Sequence, residues 1–158
     1  MTDFVRQLEF ENAIATLKIE KSTAQWDVQT RFRKIRAQLL FERNTKLDDI
    51  KKRYHQAIDA NKHYRRRLWV DKQLIEKTSP VDAEALADNL ETCDKLHRQA
   101  RLLSEQYGLD IQNVKQEFHN KKLEVLNLEQ QELMGIERDF KNKRVRLLAN
   151  FTEKGGEE

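Results

Sequence analysis

Apolar residues recur every three or four positions along almost the whole chain, and very little interrupts them. The clearest run is Leu47, Ile50, Tyr54, Ala57, Asn61, Tyr64, Leu68, Asp71 and Ile75. Steps alternating between three and four place these residues in one stripe down a helix of about eight turns. Two members are polar. Asn61 weakens an apolar seam but can set its register, whereas Asp71 is expected at the edge of the contact. Upstream, Val28, Phe32, Ile35 and Leu39 keep helical spacing but meet the later stripe out of phase. Asn44-Thr45-Lys46 lies at that join, and Thr45 with Asp48 resembles a capping pair, so a helix break is predicted near residue 44. Ser22 with Gln25 offers a similar restart, following an amphipathic first helix over residues 3–20.

The second half repeats the theme. Leu86, Leu90, Cys93, His97 and Ala100 form one stripe, after which Tyr107-Gly108-Leu109-Asp110 predicts a second break near residue 108. The last stripe is Ile111, Val114, Phe118, Lys121, Val125 and Leu128. It slips by one position and resumes as Leu133, Ile136, Phe140, Lys143 and Leu147, with Gly135 at the slip, where a bend or a close helix approach is expected.

The strongest boundary is Thr78-Ser79-Pro80-Val81-Asp82, which contains the chain's one proline. Ser79 is predicted as the cap of the next helix, Pro80 as its first residue and Asp82 as a first-turn acid. The expected fold is therefore all-α: a long antiparallel helical hairpin, or coiled-coil-like bundle, with helix breaks near residues 44 and 108. It divides into an arm over 1–79, an arm over 80–152 and a flexible tail over 153–158, all within one structural unit.

Composition sharpens this picture. Hydrophobic residues make up 38% of the chain and charged residues 36%, so each helix has only a narrow stripe to bury and needs a partner helix. Phe10, Phe41, Trp69, Phe140 and Phe151 are candidates for contacts beyond a two-helix seam. Residues 1–79 hold 18 Lys and Arg against 11 Asp and Glu, whereas residues 80–158 hold 12 against 16. A basic arm followed by an acidic one suits two arms that attract each other, or a first arm that faces an acidic partner. No apolar run is long enough to span a membrane, and the first twenty residues lack the basic start and apolar stretch of a signal peptide. The lone cysteine, Cys93, cannot form an internal disulfide and reads as a small packing residue. A cytoplasmic or other intracellular setting, or the interior of an assembled particle, is expected.

Two basic clusters are candidate contacts for an anionic partner: Arg31, Arg33, Lys34 and Arg36, and Lys62, Arg65, Arg66 and Arg67. Because Tyr64 and Leu68 belong to the stripe, Arg65 and Arg66 are expected to point away from it, solvated or paired with acids of the second arm. His55, Asp59 and His63 share a helix face, and Asp94 precedes His97 by three residues, but a helical di-metal centre needs that element twice. No metal and no cofactor are predicted. No glycine-rich phosphate loop occurs and Cys93 has no identifiable base, so no enzymatic activity and no small-molecule substrate are expected.

The function expected from these features is that of a non-enzymatic scaffold or adaptor. It works through helix–helix contact with other proteins, copies of itself included. In composition the chain is similar to small, charged, helical assembly proteins of phage particles and conjugative machines, an analogy of composition only. The alternative is a nucleic-acid-associated protein using the basic faces at 31–36 and 62–67.

Overall fold

The absence of breakers has the structural result that periodicity predicts. A computed structural model describes residues 2–156 and contains two helices, α1 (Asp3–Lys77) and α2 (Ala83–Gly156). They pack against each other as an antiparallel, all-α helical hairpin. At the start of α1 the Thr2 hydroxyl accepts the Val5 amide at 3.4 Å, and Asp3 lies in the first turn, at the positive end of the helix dipole.

The turn differs from expectation in one respect. Ser79 and Pro80 stay outside α2, joined by a cis peptide bond. Asp82 is the cap: its Oδ1 accepts the Ala85 amide at 3.1 Å, and its carbonyl accepts the Leu86 amide at 3.0 Å. A carboxylate is the stronger acceptor at a helix N-terminus because it also meets the dipole, which explains why Asp82 caps here and Ser79 does not.

The breaks near residues 44 and 108 are absent, as is the restart at Ser22. Thr45 turns its hydroxyl back onto the Phe41 carbonyl at 2.9 Å, a bond formed inside a continuing helix instead of a cap. Gly108 does not adopt a positive φ, and Gln106 bridges over it to Asp110, Nε2 to Oδ1, at 2.9 Å. One interior glycine costs only about 1 kcal/mol. Ending a helix there would free several backbone groups at once, so the helix runs through. Of the expected loose tail, residues 153–156 continue α2, while Glu157 and Glu158 lie outside the described residues.

Contacts divide the hairpin into two units, each drawing on both arms. One comprises Met1–Leu39 with Asn120–Glu158, the other Leu40–His119. In the first unit Phe32 is buried, and the Phe10 and Phe151 rings lie 4.7 Å apart. Lys21 pairs with Glu137 at 2.6 Å and sits 4.6 Å over the Phe140 ring. Arg31 pairs with Glu132, and Arg36 with Glu129. In the second unit Ile50 is buried, the Tyr54 and Tyr107 rings are 5.4 Å apart, and the Arg43 guanidinium lies 4.8 Å from the Phe118 ring.

Candidate interaction surface

The helix–helix seam has a different composition from the predicted apolar stripe. Of the expected α1 members, Ile50 and Asn61 are buried, and Leu47, Tyr54, Ala57, Leu68 and Ile75 are half-buried. Tyr64 is 55% exposed and Asp71 also faces out, while Arg65 and Lys72 turn inward in their place. In α2, Ile111, Val114, Phe118, Val125, Leu133, Ile136, Phe140 and Leu147 are half-buried. Leu128, however, is 53% exposed and its neighbour Glu129 is buried, just as Asn89 is buried where Leu90 was expected. Strict alternation of three and four has a period of 3.5 residues, whereas an α-helix turns every 3.6. The difference accumulates to about 20° per heptad, enough to exchange Tyr64 for Arg65 and Leu128 for Glu129.

Each buried polar side chain has a partner across the seam. Asn61 is 3% exposed, and its Nδ2 donates to the Leu96 carbonyl at 2.9 Å and to Gln99 Oε1 at 3.1 Å. Its Oδ1 accepts from Arg65 Nε at 2.7 Å. Asn89 Nδ2 donates to the Leu68 carbonyl at 2.9 Å, and Glu129 accepts from Arg36. Nearby, the Tyr54 phenol donates to Asp110 Oδ2 at 2.5 Å. That hydrogen bond, with a second from Gln106, holds the Asp110 carboxyl below its ordinary range, and the same contact raises the Tyr54 phenol above its own. Lys21 likewise lowers Glu137 through their hydrogen bond.

These contacts draw on the basic clusters. Arg31 and Arg36 are engaged by Glu132 and Glu129. Arg65 does not point away from the seam as expected; it is half-buried against Asn61. Arg33 and Lys34 in the first unit, and Lys62, Arg66 and Arg67 in the second, remain exposed. Arg66 and Arg67 border a shallow depression with His63, Val70 and Asp71. Among the described residues no three His, Cys, Asp or Glu side chains are grouped to hold a metal ion, and no helix is long and apolar enough to cross a membrane. Cys93 is a half-buried free thiol.

The outward faces carry the apolar surface that the seam does not use. Phe10, Phe140 and Phe151 are taken up between the helices of the first unit. Phe41, Trp69, Leu74 and Leu102 of the second unit are exposed, as are Ile19, Trp26, Met134 and Val145 of the first. No family model, no curated protein and no solved structure matches the chain.

Proposed function

We propose that the protein is a non-enzymatic helical scaffold or adaptor that presents helix faces to other helices and associates with copies of itself. The observation that supports this reading is the distribution of its large apolar side chains. Only Phe32 and Ile50 are buried as apolar residues among the described ones, while Trp26 and Trp69 are 64% and 63% exposed. A tryptophan or phenylalanine offers roughly 150–250 Å² for burial, and each unit leaves at least one such ring on an outward face, Trp26 in the first and Trp69 in the second. Covering such faces with other helices is the physical route to a stable state, and the dense charge around them selects partner and direction.

Light scattering across micromolar to near-millimolar concentrations tests the reading. The expected mass rises with concentration to a multiple of the 18.9 kDa chain. A chain that stays at 18.9 kDa throughout, fully helical and without a partner, would overturn the self-association part of the reading.

A further inference from the structure

The outer face of α1 in the first unit carries a second repeat, independent of the seam. Phe4, Ala15, Trp26 and Ala37 recur every eleven residues, as do Leu8, Ile19 and Thr30. Eleven residues are three turns at 3.67 residues per turn, so both series stay on one side of the helix. That side lies opposite the inward stripe of Phe10, Leu17, Ala24 and Phe32, and Phe4, Ile19 and Trp26 are exposed on it. Over residues 4–37 this strip, about 100° of the helix circumference, holds a single charged side chain, Arg33. In a chain that is 36% charged, a strip nearly free of charge over some nine turns is a surface built for contact.

We infer that this face binds the same face of a second copy of the chain, with the two α1 helices antiparallel about a two-fold axis near residues 20 and 21. The inference deepens the scaffold reading and rests on its self-association. Three features of the strip choose this occupant and this direction. The series Phe4, Ala15, Trp26, Ala37 alternates large and small. Antiparallel pairing about that axis sets Phe4 opposite the second copy's Ala37 and Trp26 opposite its Ala15, each bulky ring over a methyl group; parallel in-register pairing sets ring against ring.

Charge favours the same direction. Residues 1–20 hold two basic and four acidic side chains; over residues 21–39 Lys21, Arg31 and Arg36 are paired with α2, which leaves the exposed Arg33 and Lys34 against one acid, Asp27. Antiparallel copies bring the acidic end of one against the basic end of the other, and parallel copies oppose like ends. The one charge on the strip, Arg33, falls opposite Leu8 of the second copy, where its stem covers the leucine and its guanidinium reaches Glu11 one turn along. Area is also sufficient. The strip is about 50 Å long and a helix contact about 10 Å wide, so two copies bury on the order of 1,000 Å², the lower bound for a specific interface.

The test compares substitutions on this face with one elsewhere. Trp26→Glu and Ile19→Glu, each made separately, point away from the seam and should return the dimer to the 18.9 kDa mass with helicity intact, while Leu102→Glu on the other unit should leave it a dimer. In a Cys93→Ala background, Ser22→Cys should be cross-linked between copies by a bis-maleimide spanning about 8 Å, since residue 22 lies beside the axis. Phe4→Cys should not, because its two copies stand about 50 Å apart. Cross-linking at both positions means parallel helices and overturns the proposal. If the wild-type chain self-associates but both glutamate variants leave its mass unchanged, the assigned face is wrong and the scaffold reading stands. If the wild-type chain never exceeds 18.9 kDa, both fail together.

Discussion

Asn61 is 3% exposed and makes two hydrogen bonds to the opposite helix, which makes its removal an informative perturbation of the seam. Asn61→Ala deletes two bonds to the opposite helix, at 2.9 and 3.1 Å, and one to Arg65 at 2.7 Å. Each neutral bond contributes about 0.5–1.5 kcal/mol net. The bond to Arg65 joins a charged group, but Arg65 is half-exposed and regains water, so about 1 kcal/mol is a fair share. The gross loss is about 2–4 kcal/mol. Alanine recovers roughly 0.5 kcal/mol through its better helix propensity. A net destabilisation of about 2 kcal/mol follows, equivalent to a urea midpoint lower by about 1 M if the slope is near 2 kcal/mol/M.

The second arm of the experiment is Asn61→Leu. It loses the same bonds but buries apolar area at a 97%-covered site, recovering about 1.5–2 kcal/mol, so it should lie within about 1 kcal/mol of the wild type. Its cost falls on specificity, because a leucine seam tolerates more than one register where an asparagine with defined partners tolerates one. Urea unfolding followed by circular dichroism at one fixed protein concentration separates the two variants. A cycle with Gln99→Ala should show a coupling of about 0.5–1.5 kcal/mol with Asn61→Ala. Asn61→Ala within about 0.5 kcal/mol of the wild type, or a leucine variant as destabilised as the alanine one, would mean that the seam does not depend on these bonds.

Gly108→Ala and Gly135→Ala should each stabilise the protein by about 0.5–1 kcal/mol in the same assay, since an added Cβ meets nothing within 4 Å and neither backbone has a positive φ. Destabilisation at either position would show that a bend or a close approach is present after all. Asp82→Ala should cost about 0.5–2 kcal/mol as loss of the α2 cap, while Ser79→Ala should stay within about 0.5 kcal/mol of the wild type. Because Asp110 is held below its ordinary value, its stabilising contribution is complete above the usual carboxylate range and is lost as pH falls through its folded value. The raised Tyr54 phenol stabilises below about pH 10 and stops doing so as pH rises through its higher folded value, so Tyr54→Phe should flatten the alkaline limb of a stability–pH profile and Asp110→Asn the acidic one.

The hairpin and its turn were legible from Pro80 and from apolar recurrence, because breakers and periodicity act locally. The breaks expected near 44 and 108 do not form, for a related reason. Thr45 and Gly108 carry local signals for ending a helix, but a hydroxyl can bond to the carbonyl four residues back and a glycine can stay helical when the opposite helix continues alongside. The pairings Arg36–Glu129 and Lys21–Glu137 join residues more than ninety positions apart, and nothing in local spacing specifies which acid meets which base. The net charges of the arms indicated attraction between them but could not identify the partners.

The polar seam has a common geometric origin. Along α1 the inward positions include 28, 32 and 36, and again 57, 61 and 65; along α2 they include 125, 129 and 133. In each triplet two successive steps of four occur where a heptad would take a three. Such a pair of steps sets its outer members about 40° to either side, so the central residue faces the opposite helix directly. Those central residues are Phe32, Asn61 and Glu129, three of the five most buried side chains among the described residues. A residue aimed straight at another helix has little room to turn aside. Phe32 fills that gap with a broad ring, and Asn61 and Glu129 meet it with a polar group that has a partner opposite. Counting heptads over this chain places Tyr64 and Leu128 inside. Counting true helical turns places Asn61 at a centre and Arg65 beside it, so that each polar residue faces the opposite helix with its partner in reach.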